Sequence, residues 1–273
     1  MRQVPDNKFQ RRYGPWAIIL GGSEGIGAAF ARDLGNRGFN LVLVARRPAP
    51  LDDLATRLRQ QQGVEVRTLA LDLGAREASD VIIEATRPLD VGLLVCSAAD
   101  SRVASFFDLS LDEKLHMLDV NCRTPLAVVH GLGQRMKARG RGGIILMSSL
   151  AGVYGGPFVA TYAATKAFAR LLGESLSAEL GSAGVDVIAC VAGPTHTPTY
   201  EREVAGDAQV MRPEVVVAET LAALGRRPSL IPGRRNRILH WVINQLPRGW
   251  VIKLVAANMR KILARGSNRP TTP

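Results

Sequence analysis

The segment Tyr162-Ala-Ala-Thr-Lys166 sets a phenol and an ammonium four residues apart, and Ser149 in Met147-Ser-Ser-Leu-Ala-Gly152 precedes that phenol by thirteen residues. On a helix, residues four apart share a face with about 5–6 Å between their Cβ atoms. A cation that close favours tyrosinate and would bring the phenol pKa down from its reference of about 10. Such a phenol can give a proton to a carbonyl oxygen whose carbon receives hydride, or take one from an alcohol that loses hydride. The same spacing also occurs where a Tyr packs in a core beside a snorkelling Lys, so the pair alone does not choose between the two.

A second constellation lies near the start, in Leu20-Gly-Gly-Ser-Glu-Gly-Ile-Gly27, where glycines at 21, 25 and 27 fall between an apolar run and a helical pattern. Glycine permits the tight turn and lets the backbone approach a pyrophosphate, while the following helix directs its first N–H groups at the anion. The next apolar run ends in Arg46-Arg47, about 20 residues beyond the loop, where an acidic residue would read the 2′-hydroxyl of NAD and an arginine accommodates the 2′-phosphate of NADP. The guanidinium can form forked, charge-assisted hydrogen bonds to that phosphate. Solvated loop charges are the competing explanation of Arg46 and Arg47. Asp72 suits either the adenine end of a dinucleotide or an ordinary turn.

These groups need a frame that brings strand ends together. Trp16–Leu20, Asn40–Ala45, Val64–Leu71, Val91–Val95, Ile144–Met147 and Val185–Val191 read as strands, most of them apolar on both faces. Between them, Ile26–Leu34, Leu51–Gln62, a stretch around Val81–Ala85, Leu111–Lys137 with a bend at Pro125, and Tyr162–Leu180 read as helices. Alternation of this kind predicts an α/β fold, a single Rossmann-type doubly wound parallel sheet with helices on both faces. Residues 1–232 are predicted to be a dinucleotide-binding catalytic domain, and 233–273 a basic C-terminal extension of two amphipathic helices broken near Pro247 and Gly249.

Taken together, residues 14 to 232 resemble the short-chain dehydrogenase/reductase family. The resemblance rests on the Gly21, Gly25, Gly27 loop, Arg46, Asp72, Asn121 in Asp-Val-Asn, Ser149, Tyr162, Lys166, and Ala192-Gly-Pro-Thr-His-Thr197. It implies that Tyr162 is the acid/base, that Ser149 hydrogen-bonds the substrate oxygen, and that Lys166 holds the nicotinamide ribose and lowers the Tyr162 pKa. It also implies that Asn121 holds a water extending a proton relay from Lys166, and that Thr197 contacts the carboxamide. NADP(H) would lie against Gly21, Ser23, Glu24, Gly25, Ile26, Gly27, Arg46, Arg47, Asp72, Ser97, Ala98, Tyr162, Lys166, Gly193, Thr195 and Thr197. Three positions depart from the family pattern: Leu20 replaces a Thr before the first glycine, Cys96-Ser-Ala-Ala99 replaces Asn-Asn-Ala-Gly, and Ala192 replaces a Pro. The expected activity is interconversion of a carbonyl and an alcohol on an apolar, lipid-like substrate. A catalytically silent NADPH-binding redox sensor, or an epimerase or dehydratase, are the alternatives. The family also implies a homodimer or homotetramer.

Composition narrows the partners. The 273 residues carry a net charge of +11, yet no Asp or Glu follows Glu219, and the eleven Lys and Arg beyond it account for the whole excess. A nucleic-acid face on the catalytic part is therefore not expected. Cys96, Cys122 and Cys190 are scattered in apolar runs, and His116, His130 and His240 lack ligand-spaced partners, so neither a disulfide framework nor a metal site is expected. The basic N-terminal segment lacks the apolar stretch of about 7–15 residues of a secretory signal, and no uninterrupted apolar window reaches about 18 residues. The expected location is cytoplasmic, or peripheral at the inner membrane surface. Val153, Tyr154, Gly155, Gly156, Pro157 and Phe158 and the loop from Pro198 to Met211 are the expected substrate walls. The C-terminal helices, with Trp241 and Trp250 near their break, suit either a pocket cover or subunit contact, or an interfacial membrane segment.

Overall fold

Short, mostly aliphatic runs form seven strands: β1 (Trp16–Leu20), β2 (Asn40–Ala45), β3 (Val66–Ala70), β4 (Val91–Cys96), β5 (Gly142–Ser149), β6 (Val185–Ala192) and β7 (Ser229–Leu230). The computed structural model describes residues 8–203 and 210–266. The strands form one parallel sheet in the order β3-β2-β1-β4-β5-β6-β7. Eleven α-helices are described: α1 (Lys8–Tyr13), α2 (Gly25–Asn36), α3 (Pro48–Gln62), α4 (Ala78–Ala85), α5 (Leu111–Leu118), α6 (Thr124–Arg139), α7 (Ala160–Leu180), α8 (Pro198–Glu203), α9 (Pro213–Ala223), α10 (Arg234–Asn244) and α11 (Arg248–Gly266).

Successive strand residues feed opposite layers, the consequence of period-two side-chain alternation. Ala17 and Ile19 join one core with Phe30 and Leu34 of α2, Leu51 and Leu54 of α3, and Val216 and Leu221 of α9. Ile18 and Leu20 join the other with Ile82 of α4, Val128, Leu132 and Met136 of α6, and partly buried Leu172 and Leu176 of α7. Burial on both faces explains the continuous apolar runs. Because every strand runs the same way, the loops after β1 to β6 gather at one edge of the sheet. The chain reverses its direction of travel between β1 and β4, which opens a crevice there.

The structure adjusts several boundaries. The third strand is Val66–Ala70, shorter than Val64–Leu71. Leu111–Lys137 is helical throughout, as expected, but its irregularity is a π-helical turn at Asp119–Arg123 between α5 and α6, two residues before Pro125. Four elements carry little sequence signal, namely α1, α8, α9 and the two-residue β7. The first of these is held by aromatic packing, with Phe9 edge-on to Tyr13 and Phe39, and by a 2.6 Å hydrogen bond from the Tyr13 hydroxyl to Asp186. Residues 204–209 of the expected substrate loop and 267–273 of the extension lie outside the described residues.

Candidate active site

The Gly-rich turn is built by backbone contact alone. Gly21 takes φ +83°, and a Cβ there would come within 2.6 Å of the Ala98 backbone. A Cβ on Gly27 would approach the Gly21 carbonyl oxygen to 1.9 Å, so helix and turn interlock only if both are glycine. The amides of Ser97 and Ala98 donate to the Leu20 carbonyl at 2.9 and 2.7 Å, fixing the end of β4 on the end of β1. This backbone clasp is what braces the crevice where the family pattern has amide side chains. Glu24 precedes α2 in extended conformation without capping it, and its carboxylate instead accepts from Arg47 at 2.6 Å. The first N–H groups of α2 therefore face the crevice without a side-chain cap, a ready anion site.

Arg46 is exposed at the end of β2 and lines the same crevice. Asp72, two residues beyond β3, accepts from Gly74 N at 2.8 Å and from His116, and the hydrogen bonds and neighbouring cations hold its carboxyl below the usual range despite partial burial. His116 is not the isolated residue its spacing suggested: Nδ1 lies 3.1 Å from Asp100 and Nε2 3.4 Å from Asp72. The Asp100 bond first, and then Asp72, raise its pKa. The residue bridges the loops after β3 and β4, a juxtaposition invisible in sequence because 44 and 16 residues separate it from its partners.

Tyr162 and Lys166 share one face of α7, with the Lys166 Nζ 5.6 Å from the Tyr162 ring centroid. Ser149 ends β5 and keeps its hydroxyl oxygen near the Ala151 amide at 3.2 Å, leaving the O–H proton free to point into the cavity. Lys166 is 5% exposed, and its ammonium donates to the Met147 carbonyl at 2.9 Å. Burial pushes its pKa down to about 8. Asn121 is buried behind this group in the π turn and does not line the cavity. Its Nδ2 donates to the Asp100 carbonyl at 2.8 Å and to Thr165 Oγ1 at 3.0 Å, and its Oδ1 accepts from the Asp100 amide at 2.8 Å. The Asn121 side chain therefore ties the loop after β4 to α7, the helix that carries Tyr162 and Lys166, rather than reaching Lys166 itself.

One cavity of about 1150 Å³ joins these parts, larger than the ~300–1,000 Å³ of ordinary ligand pockets. Gly21, Ser23, Glu24, Gly25, Ile26, Gly27, Arg46, Arg47, Asp72, Ser97, Ala98, Ser149, Tyr162, Lys166, Gly193, Thr195 and Thr197 all line it. The glycine cradle, uncapped helix and cationic rim fit a dinucleotide diphosphate, and the volume leaves room for a second molecule beside it. Of Val153–Phe158, Tyr154 and Gly156 reach the cavity, and of the loop that begins at Pro198, so do Pro198, Thr199 and Tyr200. The missing wall comes from Leu239, His240 and Ile243 of α10 and from Val255, Asn258 and Met259 of α11. Tyr154 OH donates to Asn244 Oδ1 at 2.6 Å and lies 3.2 Å from His240 Nδ1, fastening this wall to the loop after β5. The inward half of the C-terminal helices thus covers the pocket. The helical periodicity held that signal, but not the direction in which each face points.

The cysteines bear on the redox-sensor alternative. Cys96 and Cys190 are buried and burial pushes their thiols up to about 12, while that of Cys122 is pushed up to about 11. A sensing thiol needs an accessible, low-pKa thiolate, and none of these three has one.

Residues 15–207 match the family described as short chain dehydrogenase. A 7beta-hydroxysteroid dehydrogenase of Clostridium sardiniense is 35% identical over 233 residues, covering 84% of this chain and 89% of that protein. A solved 7beta-hydroxysteroid dehydrogenase structure superposes with a TM-score of 0.86 at 30% identity, covering 90% of this chain and 98% of the other. A short-chain dehydrogenase from Sphingobium yanoikuyae in complex with NADPH gives 0.77 at 26% identity, over 95% and 98% of the two chains. The chain belongs to the short-chain dehydrogenase/reductase family. It is an NADP-dependent enzyme of carbonyl and alcohol oxidoreduction. No described helix is long and apolar enough to cross a membrane.

Proposed function

We propose that the enzyme interconverts a ketone and a secondary alcohol on a bulky apolar molecule of hydroxysteroid size, with Tyr162 as the general acid/base. The observation that carries this reading is the single cavity that runs from Arg46 and the glycine cradle, past Ser149 and Tyr162, to the apolar wall of α10 and α11. Bound NADPH supplies hydride to the carbonyl carbon. Ser149 donates its O–H to the carbonyl oxygen and orients it, and Tyr162 delivers the proton that completes the alcohol. Lys166 has spent one N–H on Met147 and keeps two for the ribose hydroxyls, while its charge stabilises the tyrosinate left behind. Asn121 acts on this group through its bonds to Thr165 and Asp100, holding α7 in place. Arg46, and Arg47 with Glu24, bind the 2′-phosphate end, and Asp72 with His116 borders the adenine.

In this reading residues 1–232 supply cofactor binding and proton transfer, and the segment from 233 onward supplies the substrate wall. A homodimer or tetramer is supported by Leu115 and Leu118 of α5, Leu126 of α6 and Leu171 of α7, all exposed on neighbouring helices. The deciding experiment follows NADPH oxidation by absorbance against ketones graded in size, for the native enzyme and Tyr162→Phe. The variant keeps its NADPH affinity and loses turnover by roughly 10²-fold or more. Unchanged turnover would show that another group moves the proton, and activity confined to small polar ketones would refute the substrate class.

A further inference from the structure

The C-terminal helices are apolar on both sides. Their inner residues line the pocket, yet Ile238, Trp241 and Val242 of α10 and Trp250 and Leu254 of α11 point the other way, with the two tryptophans 66% and 68% exposed. Ile238, Trp241 and Val242 stand at i, i+3 and i+4, as do Trp250 and Leu254 at i and i+4, so each trio or pair is one continuous helical face. Large apolar side chains clustered in the open beside a face already used by the pocket mark a contact site, so this outer face calls for a partner.

Charge selects among the partners. Arg234, Arg235, Arg248, Lys253 and Arg260 are exposed on the same two helices, and neither helix contains an acidic residue. A second copy docked face to face through a two-fold axis would set these five cations against their own equivalents. The exposed leucines of α5, α6 and α7 offer such a copy a surface with charges of both signs, including the Arg170–Glu174 pair. A surface carrying many negative charges above a hydrocarbon interior matches the outer face instead. Tryptophans beside arginine and lysine are the composition that settles a helix in the plane of an anionic bilayer.

We infer that α10 and α11 form an interfacial roof, whose outer face docks on an anionic lipid surface while its inner face borders the substrate pocket. Docking itself does not depend on the reading of the reaction; only its benefit, access to a substrate dissolved in lipid, rests on that reading. The roof is fastened at Tyr154 by His240 and Asn244, so contact at Trp241, on the adjoining turn, sits next to the pocket wall.

The test uses the full chain and vesicles of phosphatidylcholine with or without phosphatidylglycerol. Trp16 is buried in the sheet, so a blue shift of tryptophan emission reports Trp241 and Trp250. The shift and co-sedimentation are expected with the mixed vesicles and are weakened by salt. Removing one cation, as in Lys253→Gln, reduces partitioning roughly fivefold. The double variant Trp241→Gln, Trp250→Gln is expected to lose vesicle binding while keeping the turnover of a water-soluble ketone, because neither side chain lines the cavity. A protein that ignores the mixed vesicles, binds neutral ones equally well, or still binds after the double substitution overturns the inference. A stable dimer that the double substitution splits also overturns it and makes the face a subunit contact. A native protein that binds the mixed vesicles but reduces no ketone would instead count against the proposed reaction while leaving the docking inference standing.

Discussion

Lys166 makes the sharpest prediction because its position is unfavourable for the folded protein and useful for chemistry. Its folded pKa is about 8 against 10.5 for the free side chain. Below pH 8 both states are protonated, and the folded state bears the full burial cost, about 3 kcal/mol at pH 7. As pH rises from 8 to 10.5 the folded protein gives up its proton first, so stability attributable to this group increases, and by pH 10 the cost falls to about 1 kcal/mol. Lys166→Met removes the charge and with it the cost. It also removes the charged bond to the Met147 carbonyl, a loss of about 1.5 kcal/mol or more. Net stabilisation of the cofactor-free enzyme at pH 7 is therefore about 1–2 kcal/mol. That advantage should shrink by about 2 kcal/mol between pH 7 and pH 10 while turnover falls roughly 10²-fold or more. Urea denaturation of both proteins at the two pH values measures this, and taking the difference cancels every other titrating group. Parallel pH dependence in the two proteins would refute the buried-charge argument, and unchanged turnover would refute the role in proton transfer.

Other expectations concern the cofactor and the pocket. Arg46→Asp should lower the affinity ratio of NADPH to NADH about ten- to a hundredfold, the worth of hydrogen bonds to a charged group, measured by titration of both cofactors. An unchanged ratio would assign the phosphate to another group. In Gly27→Ala the new methyl meets the Gly21 carbonyl at 1.9 Å, so the turn must move. A loss of about 1–3 kcal/mol in stability, with weaker NADPH binding, is expected from denaturation and titration, and a neutral effect would contradict the interlocked turn. His240→Phe removes one contact of Tyr154 and should raise KM for large ketones roughly two- to tenfold, leaving small ones unaffected. Equal effects on both would remove α10 from substrate recognition.

Much of the cofactor half was legible in sequence because its determinants are local. The glycines sit within one turn, Arg46 ends the strand beside it, and Tyr162 and Lys166 are neighbours on one helix, so spacing alone sets their relation. Parallel strands then carry these short segments to a common edge. The substrate half was less legible for the opposite reason. Tyr154 and His240 are 86 residues apart, and the α10 periodicity said only that two faces exist. Phe158, one of the expected wall residues, does not line the cavity, whereas Tyr154 and Gly156 of the same loop do.

By itself the sequence determined the alternation of strands and helices, the glycine cradle, the arginine at the end of β2 and the phenol–ammonium pair, since each depends on residues within a turn or two. Only tertiary structure decided what those groups touch. It fixed the Asn121 amide on Asp100 and Thr165, aimed the Lys166 ammonium at Met147, and set His116 between two aspartates. It also folded a basic tail back as the wall of the pocket. Hydrogen bonds and burial join residues far apart in the chain, and which distant partner satisfies a polar group is settled by packing rather than by spacing.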